Sequence, residues 1–190
     1  VIHRQTLQAG RRLCIRDWTG LNFLPHTSTW VGEPSLQLEQ RLYLQRAGYR
    51  LREIVLLRRS QAVYDSIRQN IPEYHDLPLP AFAKAYRAYL EQTAGLDRFR
   101  LEQLTRGKQE TIRAICDRLR LEFAADFESR FHLVTSVTGN TTLLRRPESA
   151  SWTSIRSHAK SPVTTPPLMD APSRELFAGL DNFAGYATKD

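Results

Sequence analysis

An unbroken aliphatic run, Ile54–Leu57, constrains the fold more than any other stretch of this 190-residue chain. Four consecutive apolar side chains are typical of a strand that is buried on both faces of a parallel sheet. Arg58, Arg59 and Ser60 close the run, and a segment with helix-compatible apolar spacing begins at Ala62. Because a strand, a short polar turn and a helix form half of a βαβ unit, we expect a parallel α/β sheet.

The turn after this strand combines two features of an anion site. It lies at the carboxyl end of the predicted sheet, where open α/β folds bind ligands. Arg58 is a planar donor suited to phosphate, and the free N–H groups at the start of the next helix favour negative charge. Ser66 adds a hydroxyl donor if the helix passes the same anion. An Arg that ends a buried strand is also commonly a solvated edge residue, so both interpretations stay open.

The alternation of strands and helices continues on both sides of this unit. Apolar periodicity and turn residues predict strands at Arg12–Trp18 and Arg98–Leu104, and helices from about Gly32 to Gly48, at Ala81–Thr93 and at Gln109–Leu121. This order predicts an α/β domain over residues 1–147, built as a three-layer parallel sheet with flanking helices. Residues 148–190 are rich in Ser, Thr and Pro and predict a partly irregular tail, with one short helix at Arg174–Phe183.

The charge balance narrows the class of ligand. A net charge of +7 and a pI near 9.8 favour anionic ligands. The basic residues are dispersed and do not alternate with aromatic residues, which argues against nucleic acid as the main partner. No apolar run approaches the roughly 20 residues of a membrane span, and no leader resembles a signal peptide.

The cysteines and histidines predict neither a disulfide nor a metal site. Cys14 and Cys116 each lie in an apolar segment, so we expect free, buried thiols in a reducing, cytoplasmic compartment. No Cys and His residues stand at the spacing of a metal site, and we therefore expect no metal cofactor.

The segment Arg58–Ser66, reading RRSQAVYDS, resembles the 3′-phosphate-binding segment of the sulfotransferase family. That segment reads Arg-x-Pro-x-x-x-x-x-Ser at the end of a hydrophobic strand; Arg58 and Ser66 match it, and Ser60 stands at the Pro position. Further likenesses to the family follow in its order and extend over about residues 10 to 147. They are Phe99–Leu104 (its Tyr-Glu-Asp-Leu strand), Gln109–Leu121 (its leucine-rich helix) and Val137–Asn140 (its Thr-Gly-Asn loop).

One family motif has no counterpart in this chain. Members begin with a Gly-rich loop of the form Pro-Arg-Ser-Gly-Thr-Thr, whose backbone amides cradle the 5′-phosphosulfate. The chain begins at Val1 and contains no such loop. We interpret it as a fragment that lacks the family's first strand, loop and helix, and such a fragment alone is expected to have little activity.

The resemblance implies a sulfotransferase that moves a sulfonate from 3′-phosphoadenosine 5′-phosphosulfate to a hydroxyl or amine. The nucleotide would be bound by Arg58, Ser66, Gly139, Asn140 and Arg145. Arg146 is an alternative to Arg145. The alternative for Gly139 and Asn140 is an ordinary turn without a binding role. The acceptor is a small molecule or a carbohydrate in contact with the loops 19–31 and 70–80, whose composition does not choose between sugar, lipid, peptide and phenol.

The catalytic base is the least determined part of this prediction. Cytosolic family members carry a Lys-x-His pair where this chain has Arg16, Asp17 and Trp18. Asp17 and His26 are therefore the candidate bases. The alternative role of Asp17 is a salt bridge or a turn cap, and the alternative for His26 is a solvent-facing loop residue. The resemblance gives Glu102 a structural role, in which it binds loop amides near the nucleotide.

Two other functions are compatible with the same residues. A non-catalytic domain that binds a nucleotide or another anion would need Arg58 and the helix start but no base. A kinase-like phosphate-binding fold also contains strand–Arg–helix units, but no apolar strand here ends in the Asp that magnesium would require.

Overall fold

The computed structural model describes residues 14–15, 20–25, 33–133 and 169–186. The described helices and strands are α1 (Gly20–Phe23), α2 (Glu39–Arg46), β1 (Ile54–Leu57), α3 (Ser60–Asn70), α4 (Leu79–Gln92), β2 (Asp97–Arg100), α5 (Leu101–Arg106), α6 (Lys108–Leu119) and α7 (Ala171–Phe183). Two 3₁₀ segments cover Pro72–Tyr74 and Phe127–Leu133. The predicted site residues Asp17, His26, Gly139, Asn140 and Arg145 lie outside the described residues, as does the boundary near residue 147.

The α/β class is confirmed, and the parallel sheet of the described part has two strands. β1 pairs with β2 in parallel, with Ile54 opposite Asp97 and Leu57 opposite Arg100. The two helices α3 and α4 lie between them in the chain, as a crossover connection between parallel strands requires. The larger three-layer sheet is not seen in these residues, and Cys14 and Ile15, from the predicted first strand, have no strand assignment.

The core lies between one face of the sheet and the helices α3, α4 and α7. The apolar stripe of α4 places Phe82, Tyr86 and Leu90 in this core, as the spacing of these residues predicts. The Phe82 ring lies 5.1 Å from the ring of Tyr64 and 6.4 Å from the ring of Phe177, measured between centroids. One aromatic cluster therefore joins the C-terminal helix α7 to the two neighbouring helices α3 and α4.

The expectation that β1 is buried on both faces is wrong. Val55 and Leu57 are 4% and 2% exposed, whereas Leu56, on the opposite face, is 49% exposed. The strand therefore presents only alternate side chains to the core. A four-residue apolar run fits both arrangements, because its sequence has no polar residue to mark the outer face.

The second predicted strand is shorter than expected. It ends at Arg100, and α5 begins at Leu101. The Gln103 side-chain oxygen accepts a hydrogen bond from the Arg100 backbone N–H at 2.8 Å, which ends the extended segment and starts the helix. Glu102 consequently lies in a helix rather than in a strand.

The helices at Ala81–Thr93, Gln109–Leu121 and Arg174–Phe183 are confirmed, with ends shifted by a few residues. The helix predicted before Gly48 is also present as α2, and Gly48 follows it with a φ of +81°. Both cysteines are free as expected, but Cys14 is exposed and Cys116 is half-buried, so the predicted burial is wrong for both. None of the described helices combines the length and the apolar character that crossing a bilayer requires.

Candidate anion-binding site

The turns after β1 and β2 meet at one edge of the sheet. Leu57 and Arg100 are the last paired residues of the two parallel strands, so Arg58 and Leu101 begin at the same edge. The C-terminal end of α7 reaches this edge as well, since Asp181 and Tyr186 contact the segments that follow the strands. The site is therefore built from three stretches of the chain.

Arg58 presents an available guanidinium on a fixed backbone. Its side chain is exposed and makes no hydrogen bond or ion pair with another described residue. Its carbonyl oxygen accepts a hydrogen bond from the Tyr86 hydroxyl at 2.9 Å. Burial, followed by the nearby negative groups, raises the pKa of Tyr86, so this hydroxyl stays protonated and remains a donor.

The N-terminus of α3 holds an anion, as its dipole favours, and that anion is a side chain of the protein. The Ser60 backbone N–H and hydroxyl each donate to Asp181 Oδ1 at 2.7 Å. The Phe177 carbonyl oxygen is a second acceptor for this hydroxyl at 3.2 Å. Arg59 Nη1 donates to Asp181 Oδ2 at 3.3 Å. Ser60 is fully buried, so these bonds satisfy polar groups that water does not reach.

Glu102 accepts hydrogen bonds from one loop amide and one phenol at this edge. Its Oε1 accepts a hydrogen bond from the Arg59 backbone N–H at 3.4 Å, and its Oε2 accepts one from the Tyr186 hydroxyl at 2.9 Å. Burial is the main cause that raises the pKa of Tyr186, and the bond to Glu102 adds to it. The loop amide and the C-terminal segment are thus held by the same carboxylate.

Two more arginines at this edge are already engaged. The guanidinium carbons of Arg59 and Arg100 lie 5.3 Å and 4.6 Å from the centroid of the Tyr186 ring. Arg100 Nη2 also donates to the Gly185 carbonyl oxygen. Arg59 and Arg100 therefore bind the C-terminal segment, whereas the Arg58 guanidinium has no partner among the described residues.

Ser66 lies on the same turn-and-helix unit as Arg58 but further along it. It follows the first residue of α3 by six positions, which corresponds to about 9 Å along the helix axis. Its hydroxyl oxygen accepts from Asn70 Nδ2 at 3.4 Å, so the hydroxyl proton is still available for a ligand. An anion that contacts both residues must extend along α3 rather than sit at its tip.

An open cleft of about 410 Å³ lies beside the second half of α3. Its lining residues are Asp65, Arg68, Gln69 and His75, the last from the loop 70–80 that the sequence associates with the acceptor. Arg68 Nε donates to the His75 carbonyl oxygen at 2.7 Å and holds that loop against the helix. The four lining side chains carry charged, amide and imidazole groups.

Sequence reasoning missed the contributions of Tyr86, Asp181 and Tyr186. The signal for Asp181 was present, because an acid in the last turn of a helix faces the carbonyl end of the dipole and needs a partner. The identity of that partner was not readable, since Ser60 and Asp181 are 121 residues apart in the chain. Within the described ranges, no group of three or more His, Cys, Asp or Glu side chains could hold a metal ion.

No protein-family model matches the chain, and neither a curated protein nor a solved structure matches it significantly.

Proposed function

We propose that this edge of the sheet binds the 3′-phosphate of an adenosine nucleotide through Arg58, and that the protein is a sulfotransferase. The observation that carries the proposal is the guanidinium of Arg58. It is exposed, has no partner among the described residues, and follows a parallel strand that is buried on one face, at the edge where α/β folds bind ligands. The Tyr86 hydrogen bond fixes its backbone and so reduces the entropy lost on binding.

In the proposed reaction a bond forms between the acceptor oxygen or nitrogen and the sulfur of 3′-phosphoadenosine 5′-phosphosulfate. The bond from sulfur to the 5′-phosphate oxygen breaks, and a base removes the acceptor proton. Arg58 and Ser66 bind one end of the donor, together with Gly139, Asn140 and Arg145 in the proposal. Asp17 or His26 is the proposed base.

The cleft beside α3 supports a polar acceptor. A carbohydrate offers hydroxyl groups that Asp65, Gln69 and Arg68 are able to bind, because carboxylate, amide and guanidinium groups are its usual hydrogen-bond partners. A small molecule with an amine or hydroxyl is accommodated by the same side chains.

Calorimetric titration tests the nucleotide site directly. We expect 3′-phosphoadenosine 5′-phosphate to bind more tightly than AMP, which lacks the 3′-phosphate. Arg58→Ala should weaken binding of the first nucleotide by about 10- to 100-fold, because one charge-assisted pair contributes roughly 1.5–3 kcal/mol. The matched control is Arg52→Ala, which removes an equally exposed arginine from the other end of β1 and should leave the affinity unchanged.

Two results would count against the nucleotide site. Equal affinities for AMP and for the 3′-phosphorylated nucleotide would remove the 3′-phosphate from the proposal. Equal losses in the Arg58 and Arg52 variants would show that general charge, rather than this turn, binds the nucleotide.

A second candidate is a non-catalytic domain that binds a nucleotide or another anion. The observation that favours it is Asp181, whose carboxylate occupies the N-terminal donors of α3 that would otherwise bind a second phosphate oxygen. Transfer of sulfonate from the labelled donor to a carbohydrate acceptor separates the two candidates. Binding of the 3′-phosphorylated nucleotide without transfer would favour the non-catalytic domain.

A further inference from the structure

Asp181 is bound at the start of α3 as an anionic ligand would be. One of its oxygens receives the backbone N–H and the hydroxyl of Ser60 at 2.7 Å each, and the other lies 3.3 Å from Arg59 Nη1. A helix N-terminal amide, a hydroxyl and a guanidinium are the donors with which proteins commonly bind a phosphate oxygen. The three donors at this turn are thus already used by a carboxylate.

The position of Asp181 in its own helix is unfavourable. It is the third residue from the end of α7, where the negative end of the helix dipole disfavours a negative charge. Its side chain is 13% exposed, so water compensates little of that charge. The donors of Arg59 and Ser60 therefore carry most of the compensation.

We propose that Asp181 is an internal competitor that lowers the affinity of this edge for a phosphate. The inference rests on the proposed function, because it concerns the same ligand at the same turn. While Asp181 is in place, its carboxylate, held by Arg59 and Ser60, repels a phosphate that is bound to Arg58. When the Asp181 side chain withdraws, the phosphate gains the amide of Ser60 and the guanidinium of Arg59.

The withdrawal concerns the side chain and the last turn of α7, not the whole helix. Phe177 and Leu180 are 6% and 5% exposed and belong to the core. The chain leaves α7 through Gly185, whose φ of +84° ends the helix in a left-handed turn. Asp181 lies between the buried residues and this turn, where a change of rotamer leaves the core contacts intact.

Asp181→Asn tests the proposal with little change in shape. The amide oxygen still accepts from Ser60, but the negative charge is gone. We expect the affinity for 3′-phosphoadenosine 5′-phosphate, measured by calorimetry, to rise about tenfold, because a like charge a few ångströms from the phosphate has been removed. Glu175→Gln is the matched control: it makes the same charge change at an exposed position of α7 and should alter the affinity less than about twofold.

Arg59→Gln distinguishes competition from a merely structural role of Asp181. In the wild-type background the guanidinium is paired with Asp181, so its loss should change the affinity by less than about threefold. In the Asp181→Asn background the guanidinium is released to the ligand, and its loss should remove most of the gain. A structural role predicts the same effect of Arg59→Gln in both backgrounds.

The outcomes separate this inference from the proposed function. Equal or weaker nucleotide binding by a folded Asp181→Asn protein overturns the inference, while a wild-type preference for the 3′-phosphate still supports the function. A gain that is equal for inorganic phosphate, AMP and the 3′-phosphorylated nucleotide supports the inference and contradicts the nucleotide site. No binding of any of the three by either protein overturns both. Asp181→Ser replaces the Asn variant if circular dichroism shows that the latter is unfolded.

Discussion

The turn between β1 and α3 shows how single side chains fix the backbone of the candidate site. Tyr86 fixes the carbonyl of Arg58, Glu102 holds the amide of Arg59, and Asp181 binds both donors of Ser60. These three partners come from α4, α5 and α7. Because the backbone of the turn is held from three sides, the Arg58 side chain is the part that remains free to adapt to a ligand.

Three tyrosines, two of them at this turn, make the free energy of unfolding depend on pH in the alkaline range. Burial raises the pKa of Tyr86 and of Tyr186 above the ordinary value of 10.0, and burial together with Glu73 does so for Tyr74. Above pH 10 the unfolded chain loses these protons and the folded protein keeps them. The unfolded state then binds fewer protons, so stability is complete below about pH 10 and falls as the pH rises further.

We predict that Tyr186→Phe reduces this alkaline loss of stability. One of three phenols with a raised pKa is removed, so the fall in unfolding free energy above pH 10 should be clearly smaller than in the wild type. Urea denaturation at pH values from about 8 to 11 measures it. The comparison is Tyr43→Phe, at a position that is 72% exposed, which should keep the wild-type slope. An unchanged slope in the Tyr186 variant would show that this phenol titrates normally in the folded state.

The helix α7 connects the candidate site to the core. It packs on α3 and α4. Near its C-terminal end, Asp181 accepts a hydrogen bond from Ser60 and the Gly185 carbonyl oxygen accepts one from Arg100. Arg98 donates to the carbonyl oxygens of Leu90 and Phe183 at 2.5 and 3.2 Å, which joins the ends of α4 and α7 to β2. A cation at two helix C-termini is favourable for the dipoles of both helices. This explains an arginine on the core side of a strand.

Phe177→Ala should destabilise the protein by about 3–5 kcal/mol, because it removes a buried ring and leaves a cavity. The ring is 6% exposed and lies 5.8 Å from that of Tyr64, centroid to centroid. Leu176→Ala, one position earlier on the same helix and 37% exposed, should cost about 1 kcal/mol or less. Urea denaturation of both variants gives the two values. Similar losses of stability in the two variants would show that the buried Phe177 ring stabilises the fold no more than the exposed Leu176 side chain does.

Local patterns were sufficient for most helices and for β1. The apolar stripe of Phe82, Tyr86 and Leu90 identified α4, and the run Ile54–Leu57 identified β1 with its correct ends. Local patterns failed at Leu101, where the predicted strand ends and α5 begins with the Gln103 side chain bonded to the Arg100 amide. They also failed for the exposed face of β1, because burial depends on which other elements cover the strand.

At the scale of the whole molecule, the sequence placed Arg58 at the edge of the sheet but did not show which residues surround it. The strand, the turn and the start of α3 are contiguous, so the position of Arg58 followed from neighbouring residues. The contacts of Ser60 with Phe177 and Asp181 span 117 and 121 residues. No periodicity connects residues at that separation, and only the folded chain shows that the C-terminal helix completes the edge of the sheet.

The same long-range contacts predict that the fold depends on residues 169–186. A chain that ends at residue 168 loses Phe177, Leu180, Ala184 and Tyr186 from the core, together with the cap of α3. We expect this chain to keep part of its helical circular dichroism but to lose a cooperative urea transition, because the remaining aromatic cluster is opened to water. Adding a peptide of residues 169–186 should restore part of the transition in proportion to its concentration. A sharp transition of the shortened chain, within about 1 kcal/mol of the wild-type stability, would instead show that β1, α3 and α4 form a complete core without α7.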